Sequence, residues 1–193
     1  MMELSSLKTG DIVLFSGRCK VARTIQILTL CKWSHVGMII IDDKYNTPLV
    51  YESTHNDRVP GLDLGKKTKG VQVVKLTDRL EGYKGDMAIM KLMDNDFNDC
   101  SLMRLNSMRK NFKGKKFEKN IKQAFMSMFK WYRLEKDITS LFCSELTAQA
   151  YIELGILPLM PASNNYTPAD FAKGRLNLLN GKLSKPFIVK KYS

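Results

Sequence analysis

The sequence offers four cysteines and two histidines, and one of each stands where covalent chemistry would need it. Cys143, in Leu141-Phe142-Cys143-Ser144-Glu145-Leu146, follows an aromatic residue and opens a run with helical apolar spacing that reaches Leu154. That pattern predicts a thiol in the first turn of a helix. There the unpaired backbone N–H groups and the helix dipole favour the thiolate, which is the nucleophilic form. His35, in Trp33-Ser34-His35-Val36-Gly37, opens an apolar strand far upstream. A cysteine and a distant histidine that meet in the fold form a nucleophile–base pair. Glu52 lies on the strand expected to pair with the one carrying His35. From across a hairpin its carboxylate would hold the imidazole in one tautomer and stabilise the imidazolium. Each residue also has a plainer account. A buried cysteine is usually a small hydrophobe, which is what is expected of Cys19, Cys31 and Cys100; His35 could be a satisfied core histidine and Glu52 a surface carboxylate.

The elements that must position these groups follow from periodicity. Residues 11–15 form a short apolar run after a Thr9-Gly10 turn and predict a strand, and residues 21–30 predict a short helix. Residues 35–41 are nearly continuous in apolar, mostly β-branched side chains, as in a strand buried on both faces. The turn at 42–48 contains Asp42, Asp43, Asn46 and Pro48, and it leads into a returning strand at 49–53, so an antiparallel hairpin is expected. Residues 54–70 read as an exposed loop. Two further strands, 71–76 and 86–93, flank a turn at 79–85. Helical spacing recurs at 96–112, in the Met- and Phe-rich stretch 118–131, and from 140 to 154, where Gly155 supplies a stop. Thr167 and Pro168 are the N-cap and first position of a short helix, and residues 186–192 offer a closing strand. Strands that follow one another without intervening helices make an antiparallel sheet, so the expected class is α+β, in a single domain over residues 1–193.

Composition narrows the function classes. Of the 193 residues 44% are hydrophobic and 26% charged, an ordinary globular balance. No apolar run is long enough to cross a bilayer, and residues 1–10 lack the apolar core of a secretion signal. The cysteines are scattered without paired spacing, as free thiols of a reducing compartment are, so an intracellular, cytoplasmic protein is expected. Neither the cysteines nor the histidines have zinc-ligand spacing, so no metal and no cofactor is expected. The net charge of +12 favours anionic partners such as an anionic membrane or lipid. No aromatic-and-basic pattern of a nucleic-acid module accompanies the charge, so nucleic acid is not an expected partner. One phosphate-loop look-alike, Gly61-Leu62-Asp63-Leu64-Gly65-Lys66-Lys67-Thr68, has its glycines one residue too close. It also puts Lys67 where the magnesium-binding hydroxyl belongs, and it is rejected.

Taken in order, Gly10-Asp11-Ile12-Val13-Leu14-Phe15, Ser34-His35-Val36-Gly37, Tyr51-Glu52-Ser53, Phe142-Cys143-Ser144-Glu145-Leu146 and Thr167-Pro168-Ala169-Asp170 resemble the YiiX-like group of permuted papain-like proteins. That group belongs to the NlpC-type cysteine peptidase superfamily, with bacterial and poxviral members and lecithin retinol acyltransferase-like relatives. In the family the histidine precedes the cysteine because the fold is circularly permuted, as His35 precedes Cys143 here. The resemblance implies an antiparallel sheet packed on the cysteine helix, with Cys143 as nucleophile, His35 as general base and then acid, and Glu52 as the orienting group. It further implies a peptide- or acyl-type substrate and, for a viral member, the host cytoplasm. Many relatives have a Gly-x-x-Tyr segment where this chain has Gly114-Lys115-Lys116-Phe117, so a tyrosine hydroxyl is missing there. The cysteine motif also lacks the Asn-Cys-Glu-His form of the acyltransferase branch. Three functions are thus in view: a cysteine hydrolase, a lipid acyltransferase or thioesterase at a membrane surface, and a basic binding module without catalysis.

Overall fold

The computed structural model describes residues 3–54, 58–67, 69–115 and 140–192. The expected stretch 118–131 and Phe117 lie outside them. Chain order gives β1 (Ile12–Gly17), α1 (Lys20–Leu28), β2 (His35–Ile40), β3 (Leu49–Thr54) and the two-residue strands β4 (Pro60–Gly61) and β5 (Lys66–Lys67). There follow β6 (Gly70–Lys75), α2 (Leu76–Gly82), β7 (Gly85–Met90), β8 (Leu92–Met93), α3 (Asp99–Phe112), α4 (Ser140–Glu153), α5 (Pro168–Ala172), β9 (Lys182–Leu183) and β10 (Phe187–Lys190). The main sheet runs β10-β7-β1-β2-β3-β6, and every neighbouring pair in it is antiparallel. The α+β class and the expected hairpin are therefore present. None of the described helices is long and apolar enough to cross a membrane.

Side chains alternate between two apolar layers. Ile12, Leu14, Val36, Met38, Leu49, Tyr51, Val71 and Val73 point to the larger layer, which α4 fills with Leu146, Ala150, Tyr151 and Leu154. Val13, Phe15, Ile39, Val50, Val74, Met87 and Ile89 point to a smaller layer, closed by Leu76 and Leu80 of α2. This period of two is what a sheet covered on both faces requires.

Two expectations need correction. The region 79–85, read as a turn, is mostly helix α2, with Asp78 in its first turn and Leu76 and Arg79 buried. At seven residues it is too short to show a convincing 3.6 period, and packing of Leu76 and Leu80 onto the sheet stabilises it instead. The loop 54–70 contains a small ribbon, β4 paired with β5, closed by Gly65 in the left-handed region at φ 62°.

Candidate functional site

The site lies at one end of the sheet, where β1 ends, β2 begins and β3 ends. His35, the first residue of β2, sits opposite Phe15 of β1 in the antiparallel register, and their rings pack at 4.9 Å. Its ring lies in phase with Ile39 and so belongs to the α2 face of the sheet. Glu52 of β3 is in phase with Val50 and belongs to the same face. Between them Gly37 leaves the space the pair needs. A Cβ there would lie 2.9 Å from Val50 Cγ1 and 3.3 Å from Glu52 Cβ. The result is a contact of 2.8 Å between His35 Nε2 and Glu52 Oε2.

Glu52 is 1% exposed and heavily bonded. Its Oε1 accepts from Arg79 Nε at 2.6 Å, from Arg79 Nη2 and from Gln72 Nε2 at 3.2 Å. Gln72 stands directly across from it on β6. Burial alone would raise the Glu52 pKa. The Arg79 charge, the hydrogen bond and charge of His35 and the Arg79 hydrogen bond together outweigh this largest influence, and the pKa falls to about 2. Glu52 is therefore a fixed carboxylate.

Cys143 approaches from the other face. It is the fourth residue of α4, fully buried, and it packs with the larger apolar layer. Its thiol and His35 share a side-chain hydrogen bond. Glu52 takes Nε2, which leaves Nδ1 as the imidazole nitrogen for the sulfur. Burial lowers the His35 pKa. The charge of Cys143 and its hydrogen bond, then the hydrogen bond and charge of Glu52, outweigh burial and raise it to about 9. The three residues singled out in the sequence are thus brought together in the order Cys143–His35–Glu52. Imidazolium, carboxylate and the Arg79 guanidinium alternate in sign, which lets three charges share a buried site.

The surrounding segments act as struts. Gly10, at φ 96°, turns the chain into β1, and Tyr151 Oη of α4 donates to its carbonyl at 2.6 Å. Buried Asp11 accepts from the backbone N–H of Leu92 at 2.8 Å and of Lys8 at 3.0 Å. Ser144 Oγ donates to the Tyr166 carbonyl at 2.6 Å, which ties the cysteine helix to the segment before α5. Asp170 accepts from both the backbone N–H and the hydroxyl of Thr167, at 2.8 and 2.7 Å, and fixes the start of α5.

Three site residues were not anticipated in the sequence: Arg79, Gln72 and Tyr83. Gln72 could have been found by continuing the hairpin register to a third strand. Arg79 is one of 31 basic residues and carries no local mark. Tyr83 packs edge-on against Phe15 at 5.0 Å. Its Oη would stand 3.1 Å from a Cβ at Gly17, at the end of β1, and burial raises its pKa. The cysteines need correction as well. Cys19 and Cys100 are exposed and Cys31 is partly exposed, so the buried-hydrophobe account does not hold for them.

Comparison with curated proteins finds no match. Among solved structures the chain is similar to the crystal structure of yiiX from Escherichia coli O157:H7, with 17% identity and a TM-score of 0.50, covering 95% of this chain and 97% of that one. At that identity the likeness concerns the fold. That protein is described as a metalloprotein. Among the described residues of this chain no three His, Cys, Asp or Glu side chains gather as metal ligands, and both oxygens of Glu52 are already bonded, so the donor set does not fit a metal. The model of the permuted papain-like amidase enzymes, YaeF/YiiX, C92 family, matches residues 6–171, and the chain belongs to that family.

Proposed function

We propose that the protein is a cysteine hydrolase that cleaves an amide, ester or thioester bond of a peptide- or acyl-type substrate through a covalent acyl-thioenzyme. The observation that carries this reading is the buried contact of the Cys143 thiol with an imidazole whose other nitrogen is held by Glu52. His35 takes the proton of the Cys143 thiol, and the thiolate so formed is the attacking species. Sulfur attacks the substrate carbonyl carbon, and the carbonyl electrons move onto oxygen. The backbone N–H of Cys143, near the start of α4, is the donor proposed for that oxyanion. Collapse of the tetrahedral species expels the leaving amine, alcohol or thiol, which takes the His35 proton. Neutral His35 then draws a proton from water, the resulting hydroxide attacks the thioester, and Sγ leaves as the thiolate. Glu52 stays ionised throughout and keeps Nε2 protonated, while Arg79 and Gln72 keep Glu52 in place. A binding module without catalysis would have no use for a charge relay buried against a thiol.

Cys19 and Cys100 are exposed and would react with any thiol reagent, so the test starts from a Cys19→Ser, Cys100→Ser background. An acyl-type activity probe should label that protein on Cys143. The added Cys143→Ala change should abolish labelling, and His35→Ala should slow it by roughly a hundredfold or more. Labelling that appears only after denaturation would overturn the proposal.

A further inference from the structure

The segment joining β1 to β2 carries an apolar surface that nothing in the described chain covers. Helix α1 buries Ala22 and Ile25, yet Ile27 is 71% exposed, Leu28 42% and Leu30 83%. Leu30 is the more telling of these. It sits just beyond the helix end at φ 47°, the left-handed conformation that normally selects glycine or asparagine. A leucine there carries a conformational cost, and its side chain stays 83% exposed among the described residues. Lys173 holds the turn in that form, with Nζ donating to the carbonyls of Thr29 and Leu30 at 3.2 and 2.8 Å.

The charges around these leucines have one sign. From residue 12 to residue 41 the sequence contains no Asp or Glu but has Arg18, Lys20, Arg23 and Lys32. Lys32 meets Asp86 at 3.1 Å, and the Arg18 charge acts on the same carboxylate. Arg23, Gln26, Ile27, Leu30, Cys31 and Lys32 line a shallow groove of about 390 Å³. Arg23 and Ile27 follow the i, i+4 spacing of one face of α1, which passes from basic to apolar toward the turn that carries Leu30.

We propose that this face docks on an anionic lipid bilayer, with Ile27, Leu28 and Leu30 entering the headgroup boundary and Arg23, Lys20 and Lys173 pairing with lipid phosphates. Apolar side chains ringed by cations are the pattern by which a protein lies on a membrane without spanning it. The same segment reaches the proposed catalytic site at both ends. Cys19 caps α1 two residues past the end of β1, whose Phe15 packs on the His35 ring. Four residues separate Leu30 from His35, a chain span of no more than about 18 Å.

The test is co-sedimentation of the intact chain, carrying Cys143→Ala, with phosphatidylcholine vesicles that contain or lack phosphatidylserine. Binding should require phosphatidylserine and weaken with added salt. Leu30→Gly is the decisive variant, since glycine adopts φ 47° freely and the fold is kept. Vesicle affinity should fall about tenfold once the apolar chain is gone. Arg23→Glu should lower it as well. Binding indifferent to phosphatidylserine would overturn the proposal, as would unchanged binding by Leu30→Gly. So would a dimer in sedimentation equilibrium that Leu30→Gly dissolves, because the face would then belong to a second copy. Probe labelling of Cys143 in vesicle-free solution does not depend on this face, so either proposal can fail without the other.

Discussion

The two faces of the main sheet are packed by different chemistry. On the α4 face the buried side chains are mostly apolar, and the neutral polar contacts of Tyr151 with the Gly10 carbonyl and of Ser144 with the Tyr166 carbonyl serve as struts. On the α2 face a smaller apolar cluster shares its space with Glu52, Gln72 and Arg79, and His35 lies at its rim. One face holds the fold together and delivers the thiol. The other spends buried charge on holding one imidazole. A buried ion pair rarely stabilises more than apolar residues of the same shape would. The charge on the α2 face therefore reads as a functional device, and the contrast between the faces can be broken in graded steps.

The largest step removes the cation. Arg79 is 2% exposed and bonded to Glu52 through two nitrogens. Arg79→Leu should destabilise the fold by about 3–5 kcal/mol, because the Glu52 carboxylate is left buried without its counter-charge. Adding Glu52→Leu should recover much of that loss in urea unfolding, since the orphaned charge is then gone. Both variants should lose probe labelling. If the double variant were no more stable than the single one, the cost would lie in packing, and the charged character assigned to this face would be wrong.

Next in size is the response to pH. The His35 pKa rises from 6.5 to about 9 on folding. A raised pKa means stability that is fully present below about 6.5 and is lost as pH rises through about 9. Glu52 acts in the opposite direction: depressed from 4.5 to about 2, it stabilises above about 4.5, and that contribution disappears as pH falls through about 2. Urea midpoints measured from pH 6 to 10 should decline over the alkaline range. In Cys143→Ala the decline should be smaller and begin at lower pH, because the charge and hydrogen bond of Cys143 are the largest influences raising His35. An identical alkaline decline in wild type and Cys143→Ala would separate the thiol from the imidazole.

What the sequence could disclose follows the same division. The strands at 12–17, 35–40 and 49–54 are legible because each is a short apolar run bounded by turn residues, and the hairpin pattern alone places Glu52 near His35. Cys143 is legible because a helix start favours a thiolate. Arg79 is not, since its importance comes from where a seven-residue helix lands on the sheet, and neither charge nor spacing marks it among so many cations. The exposure of Cys19 and Cys100 is hidden for a similar reason: residue type sets only an average burial, and the packing of α1 and α3 decides the rest. Of the five segments that resemble the family, those at Cys143, His35 and Glu52 supply the site. Those at Gly10-Asp11 and Thr167 to Asp170 are struts, which explains how they can mark the family without touching the proposed chemistry.

The smallest step probes the α4 face. Tyr151→Phe removes the hydroxyl that donates to the Gly10 carbonyl at 2.6 Å and leaves the ring packed against Phe171, with centroids 5.9 Å apart. The loss should be about 1–2 kcal/mol, a single buried hydrogen bond with its carbonyl left unsatisfied. The labelling rate of Cys143 in the folded protein should not change, because no charge near His35 is altered. That pairing of lower stability with unchanged labelling is opposite to the Glu52–Arg79 double variant, which regains stability and stays unlabelled. If Tyr151→Phe slowed labelling as strongly as it weakened the fold, the α4 face would help align the nucleophile, and the division of labour between the two faces would have to be redrawn with α4 on both sides of it.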